Sequence, residues 1–348
     1  MNKKLSTYKT LFLLLAVVCA GVGVTLFQTQ DTQTSVHRIA AVLPCEGFAM
    51  DELLGGFEKT LREENVPYHL SIIHQQDKVV LAGQVDEAIR QGYTLFMTVG
   101  RSTSQSVVNT VKKRSKKIQV VYTAVSEPDK YGVSGSYNDG SVINSTGVEV
   151  SMAGAQEMLK PLFELRPDLK KVCILHSSYK MLEEQAHDFS HACRERGILC
   201  DTLIIDKVTE VAERLKTYLS SNEIDLIVTF SDPVLNACGP VMKLAKLYNV
   251  EVFASEEASV LRGAAYANCI PYSEYGSQAA RLSANILLNN IPAHEIPAHV
   301  IRDSTDSTLF INPVGLKKPV PREALQKYYK RLEVINGAAK NFYARKKN

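Results

Sequence analysis

Short apolar segments of this chain alternate with amphipathic segments, and each apolar segment ends in small, polar or acidic residues. An apolar run followed by such a turn and then by a 3.6-residue pattern predicts a buried strand, a loop and a helix. These junctions follow residues 38–43, 94–99 and 120–123 in the first half, and 172–175, 226–230 and 252–254 in the second. The repetition predicts an α/β fold with parallel sheets and helices on both faces.

Two comparable sets of junctions predict two lobes facing one cleft, and 348 residues is long enough for two domains. In open α/β sheets, ligands bind at the carboxyl ends of the strands. We expect the later segments to cross back between the lobes, so that each lobe is discontinuous. The first would comprise 38–148 and about 273–297, and the second 149–272 and about 298–315.

The first 30 residues differ from the rest. Lys3, Lys4 and Lys9 precede an uncharged run at 11–27, which predicts an export signal or a membrane anchor. Three kinds of processing are compatible with this segment: cleavage after Ala20, retention as an uncleaved anchor, or lipidation of Cys19. Each places the remaining chain outside the cytoplasm, attached to the membrane in the second and third cases.

The net charge of +3 gives no reason to expect a nucleic-acid partner. The tail at 316–348 is more basic, with ten Lys or Arg against two Glu. It predicts either a solvated amphipathic helix or a contact with an anionic membrane surface or acidic partner.

Cysteines and histidines give weak signals. The six cysteines beyond the leader show no C-x-x-C spacing, but Cys193 and Cys200 flank a short loop and could form a disulfide. His187 and His191 have the i, i+4 spacing of metal ligands, but no third ligand completes a set, which favours a solvated helix face. We expect no metal and no cofactor.

Enzyme signatures are absent from the sequence: it has no phosphate-binding P-loop, no G-x-S-x-G elbow and no H-E-x-x-H helix. A hydrolase using a Ser and an acid in the cleft is an alternative, but no base-oriented nucleophile is visible. We therefore expect a binding protein and not an enzyme.

Four segments carry a family resemblance: 46–51, Thr-Ala-Val-Ser-Glu-Pro at 123–128, Asn-Ser-Thr-Gly-Val at 144–148, and Phe-Ala-Ser-Glu-Glu-Ala-Ser-Val at 253–260 followed by Gly263. Over residues 38–315 the chain resembles the ABC-transporter substrate-binding proteins of the tryptophan/phenylalanine-binding type. The resemblance implies two Rossmann-like lobes of the type I periplasmic-binding-protein architecture around a central ligand cleft. It also implies a small-molecule ligand, delivered to an ABC permease in the membrane, and no catalysis.

Carried over by position, the resemblance implies a pocket with residues from both lobes. The first lobe would contribute Glu46, Gly47, Phe48, Gly100, Arg101, Ser102, Thr103, Ser126 and Glu127. The second would contribute Ser177, Ser178, Tyr179, Ser231, Asp232, Glu256, Glu257 and Ser259.

Two positions also have a physical argument of their own. Ser102 and Gln105 have capping-box spacing, and the helix they would open could present its N–H groups to a carboxylate. Asp232 before Pro233 is typical of a helix N-cap, which leaves a capping role and a ligand-binding role both open. Arg101 stands where relatives have a neutral residue, so a more anionic ligand than an amino acid is also open.

The sequence thus predicts an extracytoplasmic solute receptor that closes by a hinge on an amino acid, preferably aromatic, or a similar small carboxylate. Arg101 and the helix N-terminus at Ser102 would hold the carboxylate, and Asp232 or Glu256 the ammonium. The apolar side chain would contact Phe48 or Tyr179. The alternative is a sensory ligand-binding domain that signals to a membrane partner without transport.

Overall fold

The computed structural model describes residues 36–335, apart from 76, 113, 115–116, 152–154, 233, 236–238 and 329–330. The predicted leader at 1–30 and the last part of the basic tail lie outside these residues. Within the described part of the chain, no helix combines the length and apolarity needed to cross a membrane.

The first lobe is built on one sheet. Among the described residues its strands lie in the order β11-β5-β4-β3-β1-β2, where the ranges are β1 His37–Leu43, β2 Tyr68–His74, β3 Leu95–Val99, β4 Gln119–Val125, β5 Ser145–Ser151 and β11 His299–Arg302. The strands from β1 through β3, β4 and β5 to β11 pair in parallel. Its helices are α1 Phe48–Glu63, α2 Lys78–Arg90, α3 Arg101–Val111 and α9 Tyr272–Asn289.

The second lobe has a sheet in the order β13-β12-β10-β9-β8-β6-β7 over the described residues, with β6 Lys171–His176, β7 Leu199–Ile204, β8 Leu226–Thr229, β9 Glu251–Ala254, β10 Tyr266–Cys269, β12 Thr308–Ile311 and β13 Leu332–Val334. β12 runs antiparallel to β10, and the other pairs are parallel. The remaining helices are α4 Ala155–Leu165, α5 Lys180–Arg194, α6 Val208–Ser221, α7 Gly239–Leu247, α8 Glu257–Leu261, α10 Asp303–Asp306 and α11 Arg322–Tyr328.

Continuous apolar strands form because both faces of each sheet are covered. In β1, Ile39, Ala41 and Leu43 pack against the apolar cluster that includes α1 and α9. The alternate residues Ala40 and Val42 pack on the opposite face, with residues of α2 and α3. The predicted α/β class with two parallel-sheet lobes is confirmed.

The lobe boundaries differ from those drawn from the sequence. Residues 298–315 were expected in the second lobe, but β11 pairs in parallel with β5 along the edge of the first sheet. The crossover therefore follows Arg302. The basic tail also begins as part of the second lobe, because β13 pairs with β12 and Tyr328 is buried, with its hydroxyl donating to Glu164 at 2.9 Å.

Helices α1 and α9 approach each other closely through two glycines. A Cβ at Gly56 would lie 2.1 Å from the Ser273 carbonyl oxygen, and one at Gly276 would lie 1.9 Å from the Leu53 carbonyl oxygen. No side chain fits at either position without movement of backbone. The contact places the first turn of α9, with Tyr272 and Tyr275, at the cleft.

Candidate functional site

A cavity of about 340 Å³ lies where the carboxyl ends of strands from both sheets meet. Segments that follow β4, β8, β9 and β10 contribute to its wall, together with the first turns of α5 and α9. Its volume falls within the range of about 300–1,000 Å³ that is typical of small-molecule sites. The topology thus places the cavity where open α/β sheets bind ligands.

Much of the cavity wall is apolar and aromatic. Tyr272 and Tyr275 come from α9, Met181 from α5, and Phe230 from the turn directly after β8. Ala124, Val150 and Ile270 complete this part of the wall. These surfaces suit a ligand with an apolar body, since burial of apolar area is a main source of binding free energy.

The described polar part of the wall includes one carboxyl group. Among the described lining residues, Glu256 is the one carboxylate, and none is a Lys, Arg or His. The other polar groups are neutral and comprise Ser126, Gln185, Ser231, Ser255, Asn268, Cys269 and Ser307. The cavity is therefore electrostatically suited to a cationic group next to Glu256.

Glu256 is held in place by its own turn. It is 3% exposed and lies in extended backbone between β9 and α8. Its Oε1 accepts a hydrogen bond from the buried Ser259 hydroxyl at 3.0 Å. A ligand ammonium at this position would form a charge-assisted hydrogen bond with the buried carboxylate.

Tyr272 keeps its proton in this environment. Burial and the negative charge of Glu256 raise the pKa of the Tyr272 phenol well above its usual value. The hydroxyl is therefore a neutral hydrogen-bond donor at any physiological pH.

The end of β4 is irregular at the cavity. The β4–β5 register shifts between Thr123 and Val125, and Ala124 takes φ 56°, a left-handed conformation that is uncommon for a residue with a side chain. Such bulges redirect a strand, and they cluster at functional sites. Here the bulge brings Ala124 and Ser126 to the cavity.

Asp232 connects two turns beside the cavity through hydrogen bonds. It is 1% exposed, and its carboxylate accepts hydrogen bonds from the Ser177 backbone N–H at 2.6 Å and the Ser177 hydroxyl at 2.9 Å. It also accepts from the backbone N–H groups of Val234 at 2.7 Å and Leu235 at 3.2 Å. Asp232 thereby ties the end of β6 to the turn after β8, which carries Ser231.

Residues 38–320 match the family model described as ABC transporter substrate binding protein. The chain belongs to this family. It is a substrate-binding protein of the ABC transporter class, a class that is extracytoplasmic and works with a small-molecule ligand and a membrane permease. The family comprises binding proteins and not enzymes.

Individual relatives of the binding protein are distant. An uncharacterized protein of Rickettsia prowazekii (strain Madrid E) is 20% identical over 277 residues, which is 79% of this chain and 82% of the relative. The tyrosine-binding protein of Clostridioides difficile (strain R20291) is 23% identical over 197 residues, 56% of this chain and 54% of the relative. The binding protein thus matches about half the length of that relative.

A solved structure shares the fold. The ABC domain from Streptococcus pneumonia, solved in complex with L-Trp, aligns with a TM-score of 0.66 at 17% identity, over 86% of this chain and 100% of that one. At this identity the similarity establishes the architecture. It agrees with the type I periplasmic-binding-protein fold expected from the sequence.

The structure brings three of the residues expected in the pocket to the cavity wall: Ser126, Ser231 and Glu256. Ser177, Asp232 and Ser259 are not among the described lining residues; they are buried, with Ser177 hydrogen-bonded to Asp232 and Ser259 to the lining residue Glu256. Ser178 is exposed, and its backbone N–H donates to Asp206 at 2.7 Å.

The predicted carboxylate clamp does not line the cavity. Arg101 is exposed, and its guanidinium lies 4.2 Å from the centre of the Tyr131 ring. The predicted capping box is wrong as well, because α3 begins at Arg101 after Gly100, which takes φ 77° and leads from β3 directly into the helix. Ser102 then lies inside the first turn, and the Gln105 amide donates to the Tyr131 carbonyl instead.

The other expected residues lie outside the cavity wall. Glu46 and Glu127 are exposed, the latter paired with Lys130 at 2.9 Å. Thr103 is buried against Gln75, with a hydrogen bond of 2.6 Å. The rest are Gly47, which precedes α1; Phe48, half-buried in the first turn of α1; Tyr179, 54% exposed before α5; and Glu257, half-buried in the first turn of α8.

Sequence reasoning missed the contribution of β10 and α9. Asn268 and Cys269 end β10, Ile270 follows it, and Tyr272 and Tyr275 lie in the first turns of α9. The signal was present, because residues 264–276 repeat the pattern of a short apolar strand, a turn and a helix. Proline at 271 marks the helix start that the pattern requires.

Proposed function

We propose that this protein is the solute-binding component of an ABC importer and that it binds an amino acid, with an aromatic side chain favoured. The observation that carries the proposal is the cavity itself, whose described lining residues combine an aromatic and apolar wall with one carboxylate, Glu256. An L-Trp complex among the structural neighbours and a tyrosine-binding relative support the same ligand class.

Each part of an aromatic amino acid has a matching surface. Glu256 would accept hydrogen bonds from the ammonium, and the hydroxyls and amides of Ser126, Ser231 and Asn268 would donate to the carboxylate. Tyr272, Tyr275 and Phe230 would contact the side chain, where aromatic pairs add about 0.5–1.5 kcal/mol to area burial. Closure of the two lobes around the ligand would exclude water from these contacts.

Thermal unfolding and titration calorimetry of the purified protein test the ligand class. Ligand at 100 times its Kd should add about 2.7 kcal/mol to the free energy of unfolding. We expect this stabilisation with L-Trp, L-Tyr or L-Phe, and a much weaker effect with an analogue that lacks the amino group, such as indole-3-propionate. Equal effects of the amino acid and that analogue would contradict a role for Glu256.

Three variants separate this site from the one expected from sequence. Glu256→Gln should lose about 2–5 kcal/mol of binding free energy, the usual cost of removing one partner of a buried charged pair. Glu183→Gln, an exposed acid on α5 outside the cavity wall, is the matched control and should bind as the parent does. Arg101→Ala should also leave the affinity unchanged, whereas a carboxylate clamp at Arg101 requires a large loss.

Transport is tested separately from binding. Cells that lack this protein should lose high-affinity uptake of the amino acid that stabilises it, and restoring the parent protein, but not Glu256→Gln, should restore uptake. Unchanged uptake in a strain whose protein binds the amino acid would favour the sensory alternative.

A further inference from the structure

Two cysteines meet at the edge of the second sheet, outside the cavity wall. Cys193 lies at the end of α5, and Cys200 lies in β7, the edge strand next to β6. Both side chains pack in the same apolar cluster of the second lobe. Between them the chain makes a tight turn in which Gly197 takes φ 71° and the Ile198 N–H donates to the Cys193 carbonyl at 3.0 Å.

The pairing of these two thiols follows from the faces of the sheet. Cys200 is in register with Val172, and both pack with the apolar cluster that contains Cys193. Cys173, the next residue of β6, belongs to the apolar cluster on the opposite face. The sheet therefore separates Cys173 from the pair, and Cys193 is the thiol that Cys200 faces.

We propose that Cys193 and Cys200 are a disulfide-forming pair, which closes when the folded protein meets a disulfide oxidant in the extracytoplasmic compartment. The proposal is independent of the ligand, since neither cysteine lines the cavity. Exported proteins reside where disulfides form and persist, which gives the pair an oxidising environment.

The difference in exposure between the two thiols indicates which of them reacts first. Cys200 is half-buried on the edge strand, whereas Cys193 is fully buried. The Cys193 thiol and the Ser190 hydroxyl, whose Oγ lies 3.4 Å from the Cys200 Sγ, lower the pKa of Cys200 despite its burial. The thiolate is the nucleophile in thiol–disulfide exchange, so Cys200 reacts first.

The exchange takes place in two steps. The Cys200 thiolate attacks one sulfur of the oxidant's disulfide, the oxidant's S–S bond breaks, and its other sulfur leaves as a thiolate. Cys193 then loses its proton to solvent and attacks Cys200 Sγ, which forms the Sγ–Sγ bond and expels the second oxidant sulfur. The two cysteines lose two electrons in total, and the oxidant's disulfide becomes two thiols.

Peptide mapping tests the pair in the full chain. Trypsin cleaves after Lys180, Arg194, Arg196 and Lys207, so the two cysteines fall on separate peptides, 181–194 and 197–207. The native protein is incubated with glutathione disulfide, its remaining thiols are blocked with iodoacetamide, and the digest is analysed by mass spectrometry. We expect most molecules to yield the two peptides linked, and a reductant to separate them.

Controls distinguish the native pairing from chance oxidation. In urea the same treatment should distribute Cys200 among several partners, and Cys45→Ser should not alter the native link. Cys193→Ser should leave a mixed glutathione disulfide on Cys200. The proposal is overturned if the native protein yields both peptides only in alkylated form, or with Cys200 glutathionylated and Cys193 alkylated. A native link no more frequent than in urea would overturn it as well.

Discussion

Substitution of two adjacent glycines in α1 tests whether the contact between α1 and α9 positions the cavity wall. Gly55 is exposed, and a Cβ there would meet nothing within 4 Å, whereas a Cβ at Gly56 would lie 2.1 Å from the Ser273 carbonyl oxygen. Real Cβ contacts do not fall below 3.0 Å, so Gly56→Ala must displace α1 from α9 by about 0.9 Å, the difference between these two distances. Ser273 adjoins Tyr272 of the cavity wall.

The two substitutions change helix propensity equally, so the difference between their free energies of unfolding reports the cost of packing alone. Alanine in place of an exposed helical glycine stabilises by roughly 0.5–1 kcal/mol. Overpacking against backbone costs about 1–3 kcal/mol. We therefore expect Gly55→Ala to raise the free energy of unfolding. The free energy of unfolding of Gly56→Ala should be lower than that of Gly55→Ala by about 1–3 kcal/mol.

Urea denaturation followed by circular dichroism measures both variants, and calorimetry with L-Trp as the probe measures the cavity. Gly56→Ala should also weaken binding of any aromatic amino acid that stabilises the parent protein, because Tyr272 moves with Ser273. Equal unfolding free energies for the two variants would refute the packing argument. Reduced stability with unchanged affinity would refute only its extension to the cavity.

Three further predictions concern acids that are buried or half-buried. Asp232→Asn should lower the unfolding free energy by about 1–3 kcal/mol, measured in urea, because at least one buried donor loses its acceptor. Glu251→Gln should lower it in the same assay by up to about 3–5 kcal/mol, because the buried guanidinium of Arg166 loses its buried counter-charge and keeps only the more exposed Asp168. Burial, with the nearby carboxylates of Glu52 and Glu333, raises the pKa of Glu257 to about 7. Its stabilising contribution is complete below the unfolded pKa near ~4.3 and is lost as the pH rises through about 7, so Glu257→Gln should gain thermal stability over the parent across that window and keep the gain at pH 8.

Much of the fold could be predicted from sequence because strands buried on both faces leave an unambiguous apolar signature. The runs that form β1, β3, β6 and β8 satisfy it, and the turns after them were placed correctly. The extended stretch at His299–Arg302 was expected, but its pairing with β5 along the edge of the first sheet was not, because β5 lies about 150 residues earlier. The edge strand β13, only three residues long, was not predicted at all. Which strands pair at a sheet edge depends on tertiary contacts, and the local sequence pattern does not determine it.

The site was harder to predict because the position of a residue along a turn does not determine which way its side chain points. Of the 231–232 pair, Ser231 faces the cavity and Asp232 turns back to cap its own loop. Arg101 was favoured because of its chemistry, yet an N-cap at Gly100 starts the helix two residues earlier than the capping-box spacing implied and leaves the guanidinium over Tyr131. Only the backbone conformation of the turn decides between such directions.

The charge of the cavity wall bears directly on the class of ligand. Arg101 in the pocket would favour an anionic ligand, but the described wall has Glu256 as its charged group. Two unit charges 4 Å apart interact by about 4 kcal/mol at an effective dielectric of 20. That energy opposes a ligand whose only charge is a carboxylate placed beside Glu256, and it favours a zwitterion whose ammonium lies there and whose carboxylate lies against the neutral hydroxyls. An amino acid should therefore bind more tightly than the keto acid of the same side chain, because the two differ chiefly in the group that Glu256 would contact.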